Sequence, residues 1–155
     1  MRIFLISIGN KMPNWVGEAY QEYSKRMPKE HKLELIEVNA VRRVKNSDIS
    51  AVIKKEGQAL LSAVPKNCYL VLLDGNGQQW STPELAQQMD KWSTTGQNIA
   101  LLVGGPDGHD EKCKQIAAQS WSLSRLTFPH PFVRVLIAEQ LYRASCILRN
   151  HPYHK

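Results

Sequence analysis

The chain has 155 residues, 43% of them hydrophobic and 22% charged, and its 20 Lys and Arg outnumber 14 Asp and Glu to give a net charge of +6. That length holds one domain with a real core, and no apolar run approaches the roughly 18 to 20 residues of a membrane span. Three widely spaced cysteines, Cys68, Cys113 and Cys146, fit neither a disulfide framework nor a zinc site and point to a reducing cytoplasm, while the positive charge favours a polyanionic partner, nucleic acid first.

In chain order, "RIFLISIG" reads as a first strand. "PNWVGEAYQEYSKRM" follows at helical period, with Trp15, Val16, Ala19, Tyr20, Tyr23 and Met27 on one face and Pro28 as its stop. "LELIEV" alternates polar and apolar residues, as a half-exposed strand does, and "AVRRVKN" is a basic loop. Ser47 or Asp48 then caps a helix reaching Ala63. "CYLVLL" is a buried strand that ends at "DGNG", and Ser81, Thr82, Pro83 and Glu84 open a helix through Trp92. "NIALLVGG" is another buried strand, "DEKCKQIAAQ" a helix, "WSLS" a short strand and "PHPFVRVLIAEQLYRASCILRN" the longest helix. No repeat or low-complexity tract divides this alternation, which predicts one α/β domain with a largely parallel sheet.

Ligands of such sheets bind beyond the C-terminal strand ends. Three loops meet there: "LDGNG", "GGPDG" and "LSRLTFPHP". "LLVGGPDGHD" has neither the dinucleotide fingerprint nor the P-loop lysine, and Asp107 and Asp110 repel phosphate, which disfavours a nucleotide polyphosphate. On spacing alone it is a tight turn or a ligand loop whose glycines admit close approach. His130, between Pro129 and Pro131, is a rigid loop residue or a general base. Glu139 and Arg143 have the spacing of a helical ion pair. The ending "HPYHK" carries cations and a ring suited to RNA, a composition that frayed tails share, and Pro152 argues against a metal. No nucleophile triad or carboxylate pair marks a hydrolase.

Taken together, "IGNKMPNWV", "LDGNGQQWSTPELA", "LLVGGPDG", "SWSLSRLTFPHPFVRVLIAEQLYRA" and "NHPYHK" resemble the ribosomal large subunit methyltransferase H family, small bacterial SPOUT-class enzymes. These enzymes methylate N3 of a pseudouridine in 23S ribosomal RNA. The resemblance runs the full length, and "LTFPHPFVRVLIAEQLYRA" with "NHPYH" carries most of its specificity. It implies a single SPOUT methyltransferase domain over residues 1–155, its mostly parallel sheet flanked by helices and its C-terminal part tied into a trefoil knot. Such a knot runs against the rule that chains do not thread loops. The resemblance also implies a homodimer, and S-adenosylmethionine held by backbone groups of Leu73, Gly104, Gly105 and the run Leu123, Ser124, Arg125, Leu126, Thr127 and Phe128. These are the loops that the strand-end rule selects independently.

In the mechanism this implies, a cation stabilises the deprotonated imide while two reactants are held in line. Arg143, His154 and Lys155 are candidates for that work. Glu139 accepts the proton or orients Arg143, and Tyr153 stacks on the target base. The tail of one subunit completes the site of the other, on an assembled ribosome. Arg42, Arg43 and Lys45 are expected to contact phosphates, His130 to be structural, and no metal to be needed. The alternative is a non-enzymatic RNA-binding or ribosome-assembly factor, which would bind RNA without S-adenosylmethionine.

Overall fold

The structure, a computed structural model, describes residues 1–155. Five strands form one parallel sheet in the order β2-β1-β4-β3-β5: β1 Arg2–Ile8, β2 Lys32–Val38, β3 Cys68–Gln79, β4 Asn98–Val103 and β5 Gln119–Ser122. Five helices connect or follow them: α1 Asn14–Ser24, α2 Ile49–Ala63, α3 Thr82–Thr94, α4 Glu111–Ile116 and α5 His130–Leu148.

The central strands read as continuous apolar runs because both faces are covered. Alternate residues serve opposite layers. Ile3, Leu5, Val71, Ile99, Leu101 and Val103 face a core shared with Tyr20 of α1, with Leu85, Met89 and Trp92 of α3, and with Ile137 and Leu141 of α5. Phe4, Ile6, Ile8, Leu72, Ala100 and Leu102 face the smaller core closed by Leu60 of α2 and Cys113 of α4. β2 lies at an edge, which suits its half-polar sequence.

The helix starts follow their side chains. Asp48 accepts from the Ala51 N–H (3.4 Å) to open α2. At α3 the Ser81 hydroxyl accepts from the Glu84 N–H (3.3 Å), while the Glu84 carboxylate accepts from the Ser81 N–H (2.6 Å). This reciprocal capping box leaves two terminal donors satisfied.

Five expectations about elements change, the first being that β5 covers Gln119–Ser122 and not "WSLS". β3 runs through "DGNG" to Gln79, with a register shift between Leu73 and Gln78 that sets both opposite Trp121. The glycine at 77 allows this, since a Cβ there would lie 2.6 Å from the Ser120 backbone. α1 stops at Ser24 and tightens into 3-10 bonds from the Arg26 and Met27 N–H groups, so the chain leaves the helix before Pro28 forces it to. Trp15 lies off the buried face of α1, 44% exposed and packed at 5.2 Å on the Phe132 ring. α4 is only six residues long, because the Ala118 N–H is already bonded to the Leu70 carbonyl at the approach to β5.

Candidate active site

A cleft of about 230 Å³ opens at the C-terminal ends of β3, β4 and β5. Leu73, Val103 and Trp121 line it from the strands, Gly104, Gly105, Gly108 and His109 from one loop, and Leu123, Ser124, Leu126, Thr127 and Phe128 from another. All but one of the residues expected to hold the methyl donor thus line one cavity; Arg125 belongs to the loop but is exposed and lies outside the lining.

The glycine loop is a tight turn. The Gly108 N–H donates to the Gly105 carbonyl (3.1 Å), Pro106 follows Gly105, and Gly108 takes φ +88°, a conformation that favours glycine. The glycines at 104 and 105 answer to the protein itself. A Cβ on Gly104 would lie 2.9 Å from the Gly108 carbonyl oxygen, and one on Gly105 would lie 2.7 Å from a Glu56 carboxylate oxygen. Contacts within the protein therefore already require glycine at both positions, apart from the close approach of a ligand expected from sequence. A tight turn and a cleft wall are the same object here.

His109, which sequence reasoning passed over, ties this loop to β3. Its Nε2–H donates to the Leu73 carbonyl (2.9 Å), while the buried Nδ1 has no partner in the protein. Desolvation, only partly offset by that bond, lowers its pKa and keeps the ring neutral near pH 7. Its signal in the sequence was its place directly after the third glycine of the loop. Asp74, on the opposite rim, accepts from the Asn76 N–H (2.9 Å) and shapes the bulge of β3. Ser124 fixes the third loop: its hydroxyl accepts from the Leu126 N–H (3.0 Å) and its carbonyl from the Ser122 hydroxyl (3.1 Å).

His130 sits where α5 begins, with Nε2 2.7 Å from the Ile8 carbonyl and 3.2 Å from the Ser7 hydroxyl. Burial lowers its pKa as well. It joins the α5 start to the end of β1, the structural role expected of it.

The second candidate group lies farther along α5. The Glu139 carboxylate accepts from Arg143 Nε (2.8 Å) and Nη2 (2.5 Å) and from the Tyr153 hydroxyl (3.3 Å). Arg143 Nη1 also donates to the Tyr153 carbonyl (3.3 Å), and its guanidinium stands 4.8 Å from the centre of the Tyr153 ring. That ring packs on Tyr142 at 4.7 Å, and burial with hydrogen bonding pushes its phenol up to about 12. The tail is thus docked on α5 rather than frayed. His154 bonds through Nδ1 to the His151 carbonyl, and Lys155 is exposed. None of these residues lines the cleft. Ten residues separate Arg143 from Val133 at the cleft wall, about 15 Å at the helical rise.

In the basic loop, Arg42 and Lys45 are exposed and form no ion pair. Arg43 differs: it pairs at 2.7 Å with both Glu56 and Asp107, so the structure commits to internal contacts a cation expected to face phosphate. No group of three or more His, Cys, Asp or Glu side chains is placed to hold a metal ion, and no helix is long and apolar enough to cross a membrane.

Comparison with known proteins adds a second line of argument. Residues 1–154 match the family model described as "Predicted SPOUT methyltransferase". Two curated relatives are each 52% identical over 155 residues, covering all of both chains. They are the proteins named Ribosomal RNA large subunit methyltransferase H of Marinomonas sp. (strain MWYL1) and of Methylococcus capsulatus (strain ATCC 33009 / NCIMB 11132 / Bath). Among solved structures, a probable methylase family protein from Haemophilus influenzae Rd KW20 shares the fold. It matches with a TM-score of 0.56 at 13% identity, over 99% of this chain and 70% of that one. The cleft geometry and the full-length match agree: this chain belongs to the SPOUT methyltransferase family.

Proposed function

We propose that the protein transfers a methyl group from S-adenosylmethionine to N3 of a pseudouridine in large-subunit ribosomal RNA, acting as a cytoplasmic homodimer on the assembled ribosome. The observation that carries this reading is the 52% identity, over the full length of both chains, with two proteins named as ribosomal RNA methyltransferases. The cleft supports the donor. Its floor of Leu73, Val103 and Trp121 suits an adenine ring, and its glycine-loop backbone offers polar groups for a ribose and an amino acid. No lysine or arginine is among the lining residues, which suits a ligand without phosphates. The C-terminal trefoil knot of the family belongs to the same reading.

Bound there, S-adenosylmethionine supplies an electrophilic methyl group on a sulfonium centre. The protein must hold the target base in line with it, and positioning of this kind is worth up to roughly 7 to 11 kcal/mol. The imide nitrogen attacks only after losing its proton to solvent, so a cation beside it stabilises the anion that forms. Arg143 is that cation in our reading, held and oriented by Glu139; His154 and Lys155 add positive charge, and Tyr153 offers its ring to the base. Since this group stands about 15 Å along α5 from its own cleft, a second copy has to bring its tail over the cleft of the first. Exposed Trp15, Leu126 and Phe132 give such a copy an apolar surface to cover. Arg42 and Lys45 contribute phosphate contacts outside the cleft.

The test is methyl transfer from labelled S-adenosylmethionine to ribosomal particles that lack the modification, beside free ribosomal RNA and stripped protein. Label in the large-subunit RNA of intact particles, mapped to N3 of one pseudouridine, is the expected result. RNA binding with no transfer and no cofactor affinity would instead favour an assembly factor.

A further inference from the structure

Arg43 is bonded too completely to serve as a free cation. Its Nη2 donates to Glu56 Oε1 (2.7 Å), and its Nη1 donates to Glu56 Oε2 (3.2 Å) and to the Val41 carbonyl (3.1 Å). Its Nε donates to Asp107 (2.7 Å). Four of five guanidinium N–H donors are thereby used. Glu56, on α2, is only 2% exposed and also accepts from the Val41 N–H (3.1 Å), so it anchors the arginine firmly.

Asp107 belongs to the Gly105–Gly108 turn, the wall of the cleft, and Gly105 itself rests against the Glu56 carboxylate. A planar fork gripping one carboxylate with two nitrogens and a second with its Nε sets both in a fixed relation. The contact spans 64 residues of sequence and joins the loop that carries Arg42 and Lys45 to the loop that carries Gly104 and Gly105.

We propose that Arg43 is a positioning residue for the methyl-donor site: anchored on Glu56, it holds Asp107 and so fixes the glycine turn against which the donor lies. The inference rests on the reading of the cleft as an S-adenosylmethionine site. It assigns Arg43 to the cofactor loop and leaves phosphate contact to Arg42 and Lys45.

Removing Arg43 altogether would leave Glu56 buried and unpaired, and the variant could fail to fold for that reason alone. Asp107→Asn avoids this, since the Arg43–Glu56 pair stays intact and only the link to the turn weakens. Arg43→Lys keeps the charge but replaces the fork by a point charge. Both variants and the native full chain are titrated with S-adenosylmethionine by calorimetry, assayed for methyl transfer, and tested for ribosomal RNA binding across a salt series.

The expected result for Asp107→Asn is a cofactor Kd and KM raised roughly tenfold, with kcat at saturating cofactor and the RNA salt slope both preserved. Arg43→Lys should show the same split to a lesser degree, and the double variant should lose less than the two losses combined, because both act through one contact. Cofactor affinity unchanged in both variants, while the native chain binds, would overturn the inference alone. A native chain that binds no S-adenosylmethionine would overturn the reading of the cleft, and this inference with it.

Discussion

The cleft at the strand ends and the cluster on the far half of α5 are built from different materials. The cleft is set by the path of the chain: three segments leave adjacent parallel strands over a floor of Leu73, Val103 and Trp121, and glycines 104, 105 and 108 let one of them fold back on itself. The cluster is a side-chain construction, in which Glu139 gathers Arg143 and Tyr153 around one carboxylate. A site set by chain path follows from topology, and its side chains mainly shape and brace the loops, as His109 and Ser124 do. A side-chain site depends on each group being present, and in the proposed function this one stands away from the cleft it would serve. If the proposed function holds, the difference is a division of labour, with binding placed in the fold and chemistry placed on removable groups.

The sharpest way to break that division is Arg143→Ala. If Arg143 stabilises charge only during transfer, turnover should fall about 10²- to 10³-fold while cofactor affinity in a titration stays within a factor of two or three. A matching loss of cofactor affinity would merge the two regions into one. Gly104→Val attacks the other region. Its side chain meets the Gly108 carbonyl, so the turn must shift; cofactor binding should be lost and the fold weakened by about 1 to 3 kcal/mol, read in denaturant titrations.

A smaller effect concerns acid. His109 and His130 each donate Nε2–H to a backbone carbonyl, and burial lowers the pKa of both. Above the unfolded value of about 6.5 they are neutral in both states, and pH changes nothing through them. As pH falls below that value the unfolded chain takes up protons the folded chain refuses, so stability drops. Denaturation midpoints at pH 7.5 and 5.5 should differ in that sense, and His109→Gln should flatten the difference. The smallest effect belongs to the exposed loop: Arg42→Ala or Lys45→Ala should each reduce the salt slope of RNA binding by about one, leaving kcat unaltered.

How far each region could be read from sequence follows the same division. Alternating apolar segments and the capping residues Asp48, Ser81 and Glu84 specified most elements, because those signals are local. The three cleft loops were legible because strand direction alone gathers them. The continuation of β3 past "DGNG" was not, since it depends on a bulge lying opposite Trp121 of another strand. Neither was the docked tail, nor the commitment of Arg43 to Asp107; both depend on partners distant in sequence whose distances only the folded chain defines. Trp15 misled because helical period marks a face without saying what covers it; here the cover is one exposed ring, Phe132.

Calorimetric titration of the native protein with S-adenosylmethionine, beside ATP as a control, tests the central claim most directly. A cleft lined by apolar side chains and a glycine turn, without lysine or arginine, should bind the first and ignore the second. Binding of ATP, or of neither ligand even with ribosomal particles present, would contradict the reading of the cleft as a methyl-donor site.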